Sequence, residues 1–129
     1  MARIWLGEPD LAIEHLARAM RLSPLDPLIG MMQNATAYAH FFAGRYDEAS
    51  SWAGMALRDR PDFVDALRIA AASDALAGRL EQAHKALARL RQVDPALRVS
   101  NLRDRLGPHR RPEDVARYEE GLRKAGLPD

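Results

Sequence analysis

The chain has 129 residues, enough for one domain that buries its own core, and it has no cysteine, which excludes disulfides and thiolate metal sites. Its 19 basic and 18 acidic residues give a net charge of +1, so its composition provides no general attraction to nucleic acid or to an anionic membrane. The wholly apolar runs are far shorter than the roughly 20 residues that span a bilayer, and the N-terminus lacks a signal-peptide pattern. We therefore expect a soluble, cytoplasmic protein.

Residues that favour helices dominate the whole chain. Alanine is the commonest residue, whereas valine and isoleucine, which favour strands, are few. Asp26-Pro27 and Asp94-Pro95 are typical helix starts, an N-cap residue followed by proline. In chain order, the periodicity and turn residues predict helices at 9–22, 28–43, 46–59, 63–77, 80–92, 97–106 and 112–125.

Three segments of the chain share one template. Gly-Glu-Pro-Asp-Leu-Ala at 7–12, Gly-Arg-Tyr-Asp-Glu-Ala at 44–49 and Gly-Arg-Leu-Glu-Gln-Ala at 78–83 each run from a glycine to an alanine. The interval between the first two glycines is slightly longer than the interval between the last two. A second alanine and a later proline complete the template at matching offsets, with a leucine in place of that alanine in the third segment. These positions are Ala19 and Pro24, Ala56 and Pro61, and Leu90 and Pro95.

Each position of this template has a physical role. The glycine ends one helix in the left-handed conformation, and an acidic turn then begins the next helix at its positive end. The two alanines lie two turns apart on one face, where they allow neighbouring helices to approach closely. The proline ends the second helix. Each segment therefore predicts a helical hairpin.

From about residue 1 to residue 95, the chain resembles the tetratricopeptide repeat family, whose period of about 34 residues matches the spacing from Gly44 to Gly78. Ala37 and Ala71 keep the small position of that family, while Gln33 and Leu67 stand where tryptophan is typical. The resemblance implies an all-α fold, a right-handed superhelical stack of antiparallel helix pairs with a C-terminal helical cap. The implied parts of this single domain are a truncated first repeat at 1–24, a second repeat at 28–61, a third repeat at 62–95 and capping helices at 96–129.

The N-terminal edge departs from the repeat pattern. Only six residues precede Gly7, where a full first helix is expected, so we interpret the first unit as cut and the chain as a piece of a longer protein. The apolar residues of helix 9–22 would then be partly uncovered, which favours self-association. We therefore hypothesise that the chain forms a homodimer through this edge. The apolar residues concerned are Leu11, Ile13, Leu16 and Met20.

The family resemblance also implies a binding groove for a protein or peptide, lined by the first helix of each hairpin. Asn34 and Arg68 could hydrogen-bond a bound peptide, and the aromatic and methionine side chains offer apolar contact. The alternative is that Tyr38 and Phe41 belong to the core. A two-carboxylate clamp for chaperone tails is not expected, because only Asn34 and Arg68 are candidates for it. Carried over by position, the groove residues are Met31, Asn34, Tyr38, Phe41, Asp65, Arg68 and Ala72.

The sequence predicts no catalytic, cofactor or metal site. The four histidines lie in separate elements without metal-ligand spacing, and no glycine-rich phosphate loop is present. The basic cluster around 109–111 is interrupted by acidic residues, so we interpret it as a salt-bridged cap rather than a nucleic-acid surface. An RNA-binding helical repeat remains a remote alternative.

Three other segments carry a second resemblance, to the C-terminal repeat region of bacterial class III adenylate cyclase-like proteins. They are Arg-Leu-Ser-Pro-Leu-Asp-Pro at 21–27, Arg-Arg-Pro-Glu-Asp at 110–114 and Gly-Leu-Arg-Lys-Ala-Gly-Leu-Pro at 121–128. This resemblance implies a non-catalytic, regulatory protein-interaction module of a signalling protein that is itself an enzyme. The alternative is a dimerisation or scaffold domain of a transcriptional regulator, or a stand-alone adaptor.

Overall fold

The computed structural model describes residues 9–23, 28–102 and 112–128. Over these ranges the chain is all-α, as predicted: it has six α-helices and one short 3-10 helix, and no strand. The 3-10 helix spans Val99–Asn101. The α-helices are α1 (Pro9–Leu22), α2 (Ile29–Phe42), α3 (Tyr46–Asp59), α4 (Val64–Leu76), α5 (Leu80–Val93) and α6 (Pro112–Ala125).

Two of the template glycines make the turns between paired helices. Gly44 and Gly78 have φ values of 82° and 88°, the left-handed region that side chains other than glycine rarely adopt. Each turn is closed by backbone bonds to the preceding helix: the N–H of Arg45 donates to His40 O, and that of Arg79 donates to Asp74 O. These turns make the α2–α3 and α4–α5 pairs tight antiparallel hairpins.

Helix α4 is the centre of the described structure. Every residue from 66 to 75 is buried, because α2, α3, α5 and α6 all pack against it. Small side chains make this possible, since five of the ten are alanines. A helix that is buried on all sides has to be enclosed by its neighbours, and the polar side chains of α4, such as Arg68 and Asp74, are then buried with it.

Helix α6 packs along α4 and reaches α2. Gly121 lies directly against Ala72, so close that a Cβ on residue 121 would stand 2.9 Å from the Cβ of Ala72. One turn earlier on α6, the Tyr118 ring lies 5.9 Å from that of Tyr38 and 5.4 Å from that of Phe41. The last helix therefore spans the first helices of both complete hairpins.

The helix predicted at 97–106 is wrong at its beginning. Residues 95–98 form a turn and an extended stretch, and the chain then enters the 3-10 helix. The Asn101 side chain is the physical reason, because its Oδ1 accepts from Arg98 N–H at 2.8 Å and its Nδ2 donates to Ala96 O at 2.9 Å. Residues 103–106 and the Asp26-Pro27 start lie outside the described residues.

Candidate interaction surfaces

An arginine that follows each turn glycine connects successive hairpins. Arg79 pairs with Asp47 at the start of α3, and its Nε and Nη2 donate to Asp74 Oδ1 at 3.1 and 3.0 Å. Asp74 also accepts from Ser50 at 2.7 Å. Hydrogen bonding to Asp47 is the main reason that the pKa of Arg79 is raised. We call this set the second arginine bridge.

The first arginine bridge repeats the same geometry one hairpin earlier. Arg45 Nη2 lies 2.6 Å from Asp10 Oδ1 on α1, and Arg45 Nε donates to His40 Nδ1 at 3.0 Å. Burial and the neighbouring Arg45 lower the pKa of His40, although Glu48 and Asp10 oppose that shift. Histidine thus takes the place that Asp74 has in the second bridge.

The sequence analysis missed this connection, because it treated the template acids only as helix-start charges. The signal was present: Gly-Arg recurs at the start of two template segments, at 44–45 and at 78–79. Each arginine reaches back to the acid of the preceding segment, Asp10 or Asp47. Each bridge thus joins one hairpin to the helix before it through an exposed ion pair.

The predicted groove residues are mostly buried in this structure. Asn34, Tyr38, Phe41, Arg68 and Ala72 are all buried, whereas Met31 is 54% exposed and Asp65 is partly exposed. The structure brings Tyr38, Phe41 and Ala72 together beneath α6. The part played by these residues in binding a partner stays a prediction.

A polar cluster lies inside this covered region. The hydroxyls of Tyr38 and Tyr118 are 3.2 Å apart, and Arg68 pairs with Asp65 one turn back on α4. Burial opposes the charge of Arg68, but the two tyrosines and Asp65 outweigh it and raise its pKa. Burial also raises the pKa of Tyr118 well above its ordinary value. These shifts hold Arg68 charged and Tyr118 neutral.

Helix α6 of the chain itself thus covers the residues that were predicted to line a groove. The contact side of α6, together with the residue two positions after its end, buries five side chains almost completely, and the burial of each large one is worth about 1.5–3 kcal/mol. A partner would have to replace that whole contact to reach Tyr38 or Phe41. The buried side chains are Val115, Tyr118, Leu122, Ala125 and Leu127.

An open apolar cleft lies instead at the other end of the described structure. Its volume is about 250 Å³, and the residues that line it come from α1 and from the start of α2. Leu28 and Met31, which line it, are more than half exposed. We call this surface the α1–α2 edge; its lining residues are Leu16, Leu28, Met31, Met32 and Ala35.

Two equivalent positions of the next hairpin are more buried than those of this edge. Met32 and Ala35 are partly exposed, whereas Ala66 and Ile69, at the same positions of the next repeat, are fully buried. Both helices of the preceding hairpin, α2 and α3, pack against α4, the helix that carries Ala66 and Ile69. At these two positions, the edge is therefore less covered than the next hairpin.

Several of the remaining polar residues make local contacts within the described ranges. No group of three or more histidine, aspartate or glutamate residues could hold a metal ion there. Ser50 is bonded to Asp74, and Arg98 to two backbone carbonyls, while residues 109–111 lie outside the described ranges.

None of the described helices is both long and apolar enough to cross a membrane. No protein-family model, curated protein or solved structure matches the chain.

Proposed function

We propose that this chain is a non-catalytic protein-interaction module that binds a helix of its partner at the α1–α2 edge. The observation that carries the proposal is the open apolar cleft, in which Met32 and Ala35 are partly exposed although the equivalent Ala66 and Ile69 of the next hairpin are fully buried. Binding an amphipathic helix in an apolar groove is a common mode of recognition, and methionine side chains adapt well to such partners.

We also propose that the helix pairs form a tetratricopeptide-like superhelical stack. The recurring template, the two turn glycines and the two arginine bridges support it. In this proposal, α6 covers the first helices of both complete hairpins, and the partner binds at the α1–α2 edge.

We also propose, on the resemblance of the tail alone, that the module regulates an adenylate cyclase-like signalling protein. Met31→Glu in such a parent protein should then change the regulation of cyclic AMP formation, while Leu80→Glu on α5 should not. Equal behaviour of the two variants would remove this part of the proposal.

A titration monitored by methionine methyl NMR tests the binding site. The probe is a 14-residue peptide, the length of α2, with leucine at positions i, i+3, i+4 and i+7 and charged residues elsewhere. We expect saturable shifts of the Met31 and Met32 methyls and none of Met55 on α3, whose side chain lies away from the edge.

The matched control is a peptide of the same composition whose leucines alternate with charged residues. Its apolar residues no longer share one helical face, so it should not bind. Equal shifts with both peptides, or no shift with either, would contradict the proposed function.

A further inference from the structure

We propose that the first arginine bridge is a pH-sensitive latch on α1: it holds this helix against α2 while His40 is neutral and loosens its hold when His40 is protonated. The inference goes beyond the proposed function and does not depend on it, because it concerns how α1 itself is held. Three observations carry it: the separate apolar cluster beneath α1, the position of the Arg45 guanidinium between two helices, and the imidazole acceptor that His40 provides.

Helix α1 is held by a small set of apolar contacts. It packs chiefly on α2, and its two buried residues, Ala12 and Leu16, form a cluster apart from the main core. The α2 side chains in that cluster, such as Met32 and Ala35, are themselves only partly buried. Because local stability follows the density of buried contacts, a single polar contact can change how firmly such a helix is held.

The Arg45 guanidinium joins α1 to α2. Its Nε donates to His40 Nδ1 at 3.0 Å, and its Nη2 lies 2.6 Å from Asp10 Oδ1 in the first turn of α1. A guanidinium is planar and rigid, so both contacts are made from one orientation of the side chain. A change that turns Nε away from His40 therefore also disturbs the ion pair with Asp10.

His40 supports this orientation only in its neutral form. Its Nδ1 accepts from Arg45 while that nitrogen has no proton, whereas a protonated imidazole has donors at both nitrogens and a charge that repels the guanidinium. In the second bridge, Arg79 donates instead to the carboxylate of Asp74. Of the two bridges, the first alone has an acceptor of the kind that becomes a donor near neutral pH.

Charged groups from several elements face His40. Burial and then Arg45 lower the pKa of His40, while Glu48 on α3 and Asp10 on α1 oppose that shift. Arg117 of α6 reaches the same end of α2, where it donates to a backbone carbonyl. Because the pKa of His40 is below 6.5 while α1 is in place, the state in which α1 is released takes up the proton first. The latch is therefore complete above about pH 6.5 and weakens as the pH falls below that value.

Amide hydrogen exchange of α1 at pH 7.5 and at pH 5.5 tests the latch. Protection factors remove the intrinsic pH dependence of exchange, and those of α1 should fall about three- to tenfold over this range, since uptake of one proton permits at most about tenfold. In His40→Asn, the amide oxygen can accept from Arg45 and does not titrate, so the fall should be less than about twofold. His15 and His84 remain in the variant, so their titration is common to both proteins. Equal falls in the natural chain and in His40→Asn would overturn the latch.

The amides of α4 in the same experiment show whether α1 opens by itself. They should keep higher protection factors than the amides of α1 at both pH values, because release of α1 leaves the centre of the described structure folded. If α1 and α4 have equal protection factors at pH 7.5, α1 is released only by global unfolding, and the latch is overturned.

Asp10→Asn tests whether the effect of His40 reaches α1 through the bridge. The variant keeps both partners of the His40–Arg45 hydrogen bond but loses the ion pair with α1. Its α1 protection should therefore be lower than that of the natural chain at pH 7.5 and should fall less than about twofold at pH 5.5. Glu14→Gln, at another exposed acid of α1, is the matched control and should behave as the natural chain does. A fall of about threefold or more that persists in Asp10→Asn would overturn the bridge as the route from His40 to α1.

Discussion

At the scale of single residues, the two arginine bridges share a geometry and differ in one acceptor. Arg79 reaches the Asp74 carboxylate, which is only 10% exposed, whereas Arg45 reaches the His40 imidazole. The other carboxylates, Asp10 and Asp47, are largely exposed and contribute little, about 0.2–1 kcal/mol each. The energetic difference between the bridges therefore lies in the buried acceptor.

Arg79→Met should destabilise the fold by about 2–3 kcal/mol. The buried Asp74 carboxylate would lose the charged arginine and keep the hydrogen bond from Ser50. Arg45→Met, at the equivalent position, should cost only about 0.5–1 kcal/mol, because a neutral imidazole is cheaper to leave unpaired. Urea unfolding of both variants measures the difference. Equal losses would show that burial of Asp74 does not decide the strength of the bridge.

The first bridge should depend on pH, because His40 accepts a hydrogen bond only while its Nδ1 is unprotonated. Its pKa in the folded chain is below the ordinary 6.5, so the unfolded chain takes up the proton first. The contribution of His40 is therefore complete above about pH 6.5 and is lost as the pH falls below that value. Arg45 opposes its protonation, while Glu48 and Asp10 favour it.

His40→Asn is the matched control, because the amide oxygen can replace Nδ1 as an acceptor and does not titrate. Between pH 7.5 and 5.5, the free energy of unfolding of the natural chain should fall more than that of the variant. If the unfolding free energies of the natural chain and of His40→Asn fall equally with pH, protonation of His40 does not weaken the first arginine bridge.

At the scale of the elements, the position of α6 depends on a residue without a side chain. Gly121→Ala would place its Cβ 2.9 Å from Ala72 Cβ and 3.0 Å from Ala72 O, so one helix has to move. Overpacking of this kind costs about 1–3 kcal/mol, which outweighs the gain in helix propensity of up to about 1 kcal/mol. We expect a net loss of about 1–2 kcal/mol in thermal or urea unfolding.

Gly54→Ala on α3 gives the same gain in helix propensity, and its Cβ would meet no atom within 4 Å. It should stabilise the chain by about 0.5–1 kcal/mol. If both alanine variants are stabilising, the close approach of α6 to α4 is not tight enough to matter.

The helices and their pairing could be predicted from the sequence, because local signals specify them. Gly44 and Gly78 have the left-handed φ that their turns require, and Ala49, Ala56 and Ala83 are fully buried at the predicted contacts. The place of α6 could not be predicted, because the repeat period ends near Pro95 and the pattern of a helix gives its apolar face but not its neighbour. For the same reason, the sequence left open whether Tyr38 and Phe41 line a groove or belong to the core.

At the scale of the whole molecule, packing is uneven from one end to the other. Helix α4 is enclosed by four helices, while α1 packs chiefly on α2 and is tied to the next hairpin by the exposed Asp10–Arg45 pair. Local stability follows the density of such contacts, so the α1–α2 edge should open more easily than the centre. We therefore expect the surface proposed for binding to open more easily than α4.

Native-state hydrogen exchange should resolve this difference. We expect the amides of α4 between 66 and 75 to exchange only by global unfolding, and those of α1 to exchange at least about tenfold faster, a difference of about 1.4 kcal/mol in opening free energy. If two copies pair at the edge, raising the protein concentration should slow exchange in α1 and leave α4 unchanged, because association stabilises only the state that binds. Equal protection of α1 and α4 at low concentration would instead show one cooperative unit, in which the edge is ordered before any partner arrives.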